Sequence, residues 1–171
     1  LSDMRLIFGD GDGLPGLTVD RYNGVLVTQI ISSGMEKRKS EVYAALLKVL
    51  QEDGQVIEGI YERNDVKARE KEFLPLYKGF YGEFTCGTEQ IIHENGLKIY
   101  VDIEDGQKTG YFLDQKRNRL LIREISEGLR VCDCFSHTGG FALNAAKGNA
   151  IHVDSVDVSA TALAQGKRNA Q

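Results

Sequence analysis

The sequence has no tryptophan, only two prolines and only three cysteines. Cys86, Cys132 and Cys134 are too few and too unevenly spaced for a disulfide framework. That usage fits a reducing compartment, so a cytoplasmic location is the expectation. No apolar run approaches the roughly 20 residues that a membrane span needs. No secretory signal pattern opens the chain either, so no membrane partner is expected. Basic charge is not in excess: the net charge is −4. Residues 1–85 carry 11 basic and 14 acidic side chains, and residues 86–171 carry 10 and 11. A surface for RNA must therefore be local, or supplied by other parts of the protein.

What is present is an ordinary globular composition, 42% hydrophobic and 27% charged. Over 171 residues this supports one medium domain or two small ones with a real core. The first 31 residues read as short strands, Arg5–Phe8, Gly16–Asp20 and Val25–Ile31, with Asn23-Gly24 as a hairpin turn between the last two. Met35, Val42, Ala45, Leu46, Val49 and Leu50 then recur at helical spacing, with Ser32 or Ser33 to cap the helix and Gly54 beyond its end. Gln55–Tyr61 reads as a strand and Asn64–Glu72 as a short solvated helix. Residues 1–85 are thus expected to form a strand-rich α+β domain with one main helix.

A second hairpin is expected from Gly87–His93 and Leu97–Ile103 around Glu94-Asn95-Gly96. Asp114 is placed to cap a helix through about Glu127, with Leu113, Leu120, Leu121 and Ile125 inward and Gly128 as its stop. Strand Arg130–Cys134, helix Gly139–Lys147, strand Ile151–Asp157 and a helix from Ala160 follow. This alternation is the start of an α/β Rossmann-like, doubly wound parallel sheet across residues 86–171. Such sheets normally have five or more strands. The chain opens on Leu1 and closes in a helical pattern at Ala170-Gln171, so the expectation is a fragment cut short at its C-terminus.

Gly11–Gly16 spells Gly-x-Gly-x-x-Gly after a strand. A dinucleotide turn needs its last glycine to open a helix. Here Gly16 leads into the strand-like Leu17-Thr18-Val19-Asp20, and no acidic residue lies near Ile30-Ile31 to take a ribose. A calcium loop fails too: counted from Asp10, its later ligand, glycine and glutamate places hold Leu14, Pro15 and Arg21. The segment reads as a tight connection between strands.

The stretch VCDCFSHTGGFALNAA, Val131 to Ala146, has the context that the first one lacks. A strand ends in Asp133-Cys134-Phe135, a polar turn runs through Ser136, His137, Thr138, Gly139 and Gly140, and a helix begins near Phe141. Glycines admit a close ligand, and a helix N-terminus offers N–H groups to a carboxylate. Asp157 closes the next strand, placed to accept hydrogen bonds from ribose hydroxyls. Such a site suits NAD or S-adenosylmethionine. An acidic Asp133 repels a pyrophosphate and suits the cationic amino group of a methionine moiety, which favours the methyl donor.

Three stretches carry a closer likeness: FGDGDGLPGLTVDRY (Phe8–Tyr22), DIEDGQKTGYFLDQKRNR (Asp102–Arg119) and the Val131–Ala146 turn with SVDVS (Ser155–Ser159) behind it. In these the chain resembles the bacterial large-subunit (23S) ribosomal RNA 5-methylcytosine methyltransferases, class I enzymes dependent on S-adenosylmethionine. The resemblance implies a strand-rich domain followed by the opening of a methyltransferase domain, ribosomal RNA as partner, and a homodimer. It implies a donor site lined by Asp133, Phe135, Ser136, His137, Thr138, Gly139, Gly140 and Phe141, with Asp157 on the ribose. It also makes Tyr111 and Phe112 a cofactor cover above a flexible Gly106–Gly110 lead-in. Asp114 caps the following helix, and Arg117 or Arg119 reaches a carboxylate or phosphate.

No catalytic residue is assigned. Cytosine C5 is methylated through a cysteine thiolate added to C6, and in the resembling family that cysteine lies far downstream. Cys132 and Cys134 are expected as small core residues on a buried strand, and Cys86 has no evident base. Cys132, Cys134 and His137 lack zinc-site spacing, and His93 and His152 have no partners in sequence. The chain is expected to be inactive by itself. The rival readings are a guanine-N7 ribosomal RNA methyltransferase, a non-catalytic RNA-binding module and a nicotinamide-dependent oxidoreductase.

Overall fold

A computed structural model describes residues 3–84 and 86–171. The expected domain boundary at residue 85 thus falls outside the described residues. The chain divides into two compact units, one of Leu1–Gln90 with Val101–Tyr111 and one of Ile91–Tyr100 with Phe112–Gln171.

In the first unit, strands β1 (Met4–Phe8), β2 (Leu17–Tyr22), β3 (Val25–Ile30), β4 (Gly59–Asn64) and β5 (Tyr77–Phe80) form one sheet in sequence order. Only the β3–β4 pairing is parallel. Its crossover is helix α1 (Ser33–Glu52), where Ser32 Oγ accepts the Met35 N–H at 3.4 Å as N-cap. The β2–β3 hairpin turns at Asn23, whose φ of 53° is what a two-residue turn demands. Leu17, Val19, Leu26, Ile30 and Ile60 from the sheet pack with Tyr43 and Leu50 of α1 as the core.

Three local expectations shift. Residues 55–58 are not strand, because β4 begins at Gly59. The charged run is a 3-10 helix, Lys67–Glu72, and β5 was not foreseen. Gly106–Gly110 is packed rather than flexible: a Cβ at Gly106 would strike the Asp102 carbonyl, and Thr109 is 1% exposed. Tyr22 Oη donates to the Tyr111 carbonyl at 2.9 Å and bonds Thr109 Oγ1 at 3.0 Å, so Tyr111 is part of this unit's core.

In the second unit, the hairpin of β6 (Glu89–Glu94) and β7 (Leu97–Asp102) contributes residues 91–100. A 3-10 turn (Leu113–Gln115) leads into α2 (Lys116–Ile125), followed by β8 (Arg130–Cys134), α3 (Gly140–Lys147), β9 (His152–Val156) and α4 (Ala160–Asn169). β8 and β9 pair in parallel from Arg130↔His152 to Cys134↔Val156. Helix α3 packs on both strands and on α2. This is an α+β region followed by an open Rossmann-like βαβα unit.

Asp114 does not cap α2; it sits inside the 3-10 turn, and Gln115 occupies the N-cap. The apolar side of α2 is also not where periodicity puts it. Leu120, Leu121 and Ile125 are exposed, while Arg119 is 2% exposed. Arg119 is turned inward by Glu94, with bonds of 2.5 and 2.7 Å, and it also donates to the Phe112 carbonyl at 2.8 Å. The α2–α3 approach is close because Gly148 has no Cβ to strike the Arg123 carbonyl. Cys132 and Cys134 are likewise exposed, not core. Along β8 the burial alternates, so Val131 and Asp133 face α3 while the cysteines take the other side of a sheet covered on one face.

Candidate cofactor site

β8 stops where the backbone turns left-handed. Phe135 has φ 61°, His137 φ 48° and Gly139 φ 82°, and only glycine adopts such angles without cost. Several bonds hold this turn. The Ser136 N–H donates to the Val156 carbonyl at 3.0 Å and the Gly139 N–H to the Ser136 carbonyl at 2.8 Å. The His137 N–H donates to Asp157 Oδ2 at 2.8 Å. Asp157 Oδ1 accepts the Ser159 N–H at 2.8 Å, so one carboxylate fastens the ends of both strands. Asp133 Oδ2 accepts the Ala142 N–H at 2.9 Å, inside the first turn of α3. Gly139 is the N-cap of α3 and supplies no side chain to it. The remaining first-turn N–H groups are therefore suited to an anionic group.

The carboxylates differ in acidity. Burial pushes Asp133 up, and the nearby charge of Asp157 adds to that. The N–H bonds from Ser159 and His137 hold Asp157 below the usual aspartate value. Burial lowers His137, favouring its neutral imidazole, while the charge of Asp157 works against that. A carboxylate has about four acceptor positions, so Asp157 keeps room for a hydroxyl beside its backbone donors.

A cavity of about 370 Å³ is lined by Ser136, His137 and Gly139 of the turn, by Ala142 and Leu143 of α3, by Ser155 of β9 and by Leu163, Gly166 and Lys167 of α4. Ser136 is 6% exposed, and its Oγ has no hydrogen-bond partner among the described residues. An orphaned hydroxyl in such a cavity fits a polar ligand. The donor set also fits S-adenosylmethionine: N–H groups for a carboxylate, carboxylates for a cation, and Asp157 for hydroxyls.

Most of the sequence-predicted residues come together here: Asp133, Ser136, His137, Thr138, Gly139, Gly140 and Asp157 in one bonded turn, with Phe135 beside them at 86% exposure. Phe141 lies in the first turn of α3, and the Arg119 guanidinium sits 5.8 Å from its ring centroid. The Phe112 carbonyl joins that cluster by accepting from Arg119 at 2.8 Å. Asp114 and Arg117 are exposed, and among the described residues Asp114 accepts a local bond, from Gln115 at 3.4 Å. Arg119 is committed to Glu94 instead of facing a ligand.

Sequence reasoning missed the braces behind the turn. Asn144, fully buried, donates to the Gly140 carbonyl at 2.8 Å and accepts from Arg123 at 2.8 Å. Asn169 Nδ2 donates to the Thr138 carbonyl at 3.2 Å. Gly166 lets α4 approach Gly139, 3.6 Å from where a Gly139 Cβ would stand. The available signal was a glycine inside an otherwise helical pattern.

Comparison with known proteins places this arrangement. A family profile described as S-adenosylmethionine-dependent methyltransferase matches residues 75–171. The chain belongs to that family, whose cofactor is S-adenosylmethionine. It is 44% identical over 170 residues to proteins named "Ribosomal RNA large subunit methyltransferase I" from Shewanella amazonensis and from Yersinia pseudotuberculosis. The match covers 99% of this chain but only 41% of each relative. Among solved structures, a Streptococcus mutans protein described as an S-adenosylmethionine-dependent methyltransferase aligns with TM-score 0.82 and 27% identity, covering 98% of this chain and 42% of that one. A methyltransferase complexed with SAH (S-adenosylhomocysteine) aligns with TM-score 0.83 and 27% identity, covering 98% of this chain and 41% of that one.

Proposed function

We propose that this chain is part of a methyltransferase of large-subunit ribosomal RNA, with cytosine C5 as the target atom. The identity to the Shewanella and Yersinia enzymes along nearly the whole chain supports this reading most. Residues 86–171 hold the methyl donor, and residues 1–85 form an accessory α+β domain. Asp133, Phe135, Ser136, His137, Thr138, Gly139, Gly140, Phe141 and Asp157 form the donor site, with Phe112, Asp114 and Arg117 at its edge. The turn's N–H groups take the carboxylate, Asp133 the ammonium and Asp157 the ribose hydroxyls. When bound, S-adenosylmethionine supplies an electrophilic methyl group on a sulfonium.

A cytosine C5 target calls for a thiolate adding to C6 and a base removing the C5 proton. The cysteines here are poor candidates. Burial pushes the Cys86 thiol up, and the neighbouring Cys134 raises Cys132. The reading is therefore that the 171 residues bind the donor without transferring its methyl group, and that the longer enzyme acts in the cytoplasm as a homodimer. Radiolabelled methyl transfer to large-subunit ribosomal RNA, followed by nucleoside identification, tests it. The expected results are 5-methylcytidine from a protein of the relatives' full length and no transfer by these 171 residues. A 7-methylguanosine product, or turnover by the 171 residues, overturns it.

A further inference from the structure

On the outward face of β7, opposite the buried Ile99, Lys98 and Tyr100 stand together. Helix α4 adds a second cation to the same ring. The Arg168 guanidinium lies 4.0 Å from the Tyr100 centroid and the Lys98 ammonium 5.4 Å from it. Lys98, Lys167 and Arg168 are all exposed. The backbone beneath is fixed: Tyr100 N–H donates to Asn169 Oδ1 at 2.9 Å, and Gln165 Nε2 donates to the Tyr100 carbonyl at 3.2 Å. Asn169 also donates to the Thr138 carbonyl of the cofactor turn at 3.2 Å. One side chain thus ties the cation-flanked tyrosine to the turn that holds the donor.

We propose that Lys98, Tyr100 and Arg168 form an RNA-binding patch that grips a phosphodiester segment beside the methyl-donor site. This rests on the ribosomal RNA reading above and names a surface for it. Docking of α4 on the hairpin accounts for Arg168 over Tyr100, but it gives no role to Lys98 on the same ring. Two cations around one aromatic suit a polyanion with stackable bases. The patch also supplies local positive charge to a chain whose net charge is −4.

The test is fluorescence anisotropy of the purified protein with a short labelled RNA of mixed sequence, over a salt series. Lys98→Glu, an exposed change, is expected to weaken binding roughly tenfold at low salt and to flatten the salt slope by about 0.7 for each phosphate no longer neutralised. Arg168→Lys is expected to retain most of the salt slope while weakening binding a few-fold, because charge stays and stacking goes. Thermal melts check that both variants stay folded, and SAH affinity is expected to be unchanged in Lys98→Glu. RNA binding by wild type with Lys98→Glu and Arg168→Lys both unaffected overturns the patch and leaves the ribosomal RNA reading standing. Absence of RNA binding by wild type that nevertheless binds SAH overturns both.

Discussion

Asp133 and Asp157 each accept a backbone N–H, yet their acidities move in opposite directions. Burial dominates at Asp133, whereas two N–H donors dominate at Asp157. The signs give different pH dependences. Asp157 contributes stability that is full above the ordinary aspartate value, about 3.9, and that is lost as pH falls through its lowered value. Asp133 favours its proton in the fold, so its contribution is full at low pH and is lost as pH rises from about 3.9 to its raised value. Melting temperatures measured across the acid range are expected to show the first trend abolished in Asp157→Asn and the second abolished in Asp133→Asn. At His137 burial outweighs the attraction of Asp157 and favours the neutral imidazole.

At the scale of elements, what was legible in the sequence was what is locally determined. The strand, turn and helix of residues 130–147 follow from a short run around Val131 and two cysteines, a polar glycine turn and helix formers, and they appear where the pattern puts them. That the proposed site residues share one turn was legible for the same reason. The inward face of α2 was not legible. Periodicity favoured Leu120, Leu121 and Ile125, but the buried partner is Glu94, a residue 25 positions from Arg119. Cys132 and Cys134 were misjudged because β8 reads as apolar while only one of its faces is covered. Asn169 was invisible because its partners, Tyr100 and Thr138, lie 69 and 31 positions away.

The Arg119–Glu94 pair is 3% exposed on both sides, so Glu94→Ala leaves a buried guanidinium without its carboxylate partner. The expected loss is about 3–5 kcal/mol in urea unfolding, and a loss below about 1 kcal/mol contradicts the role given to the pair. Gly148→Ala drives a methyl group into the Arg123 carbonyl and is expected to cost about 1–3 kcal/mol by separating α2 from α3. The same unfolding measurement checks it.

For the molecule as a whole, the two units carry different kinds of structure. The first is a five-stranded mixed sheet under one long helix, and the second a βαβα unit with the cofactor turn. The Gly11–Gly16 motif belongs to the first, where it links β1 to β2 after a 3-10 turn and leads into a strand, and where the Pro15 carbonyl accepts from Ser32, the N-cap of α1, at 3.3 Å. The proposed donor site belongs to the second, where Asp157 fastens the turn and Ser136 lines a cavity. The chain spans 41% of the length of its curated relatives, and the proposal leaves chemistry at the nucleobase to the longer enzyme. Isothermal titration of the protein with SAH, beside Asp157→Ala, tests the donor site most directly. The account predicts saturable one-site binding that weakens at least about tenfold in the variant; no binding by the wild type, or equal binding by both proteins, contradicts it.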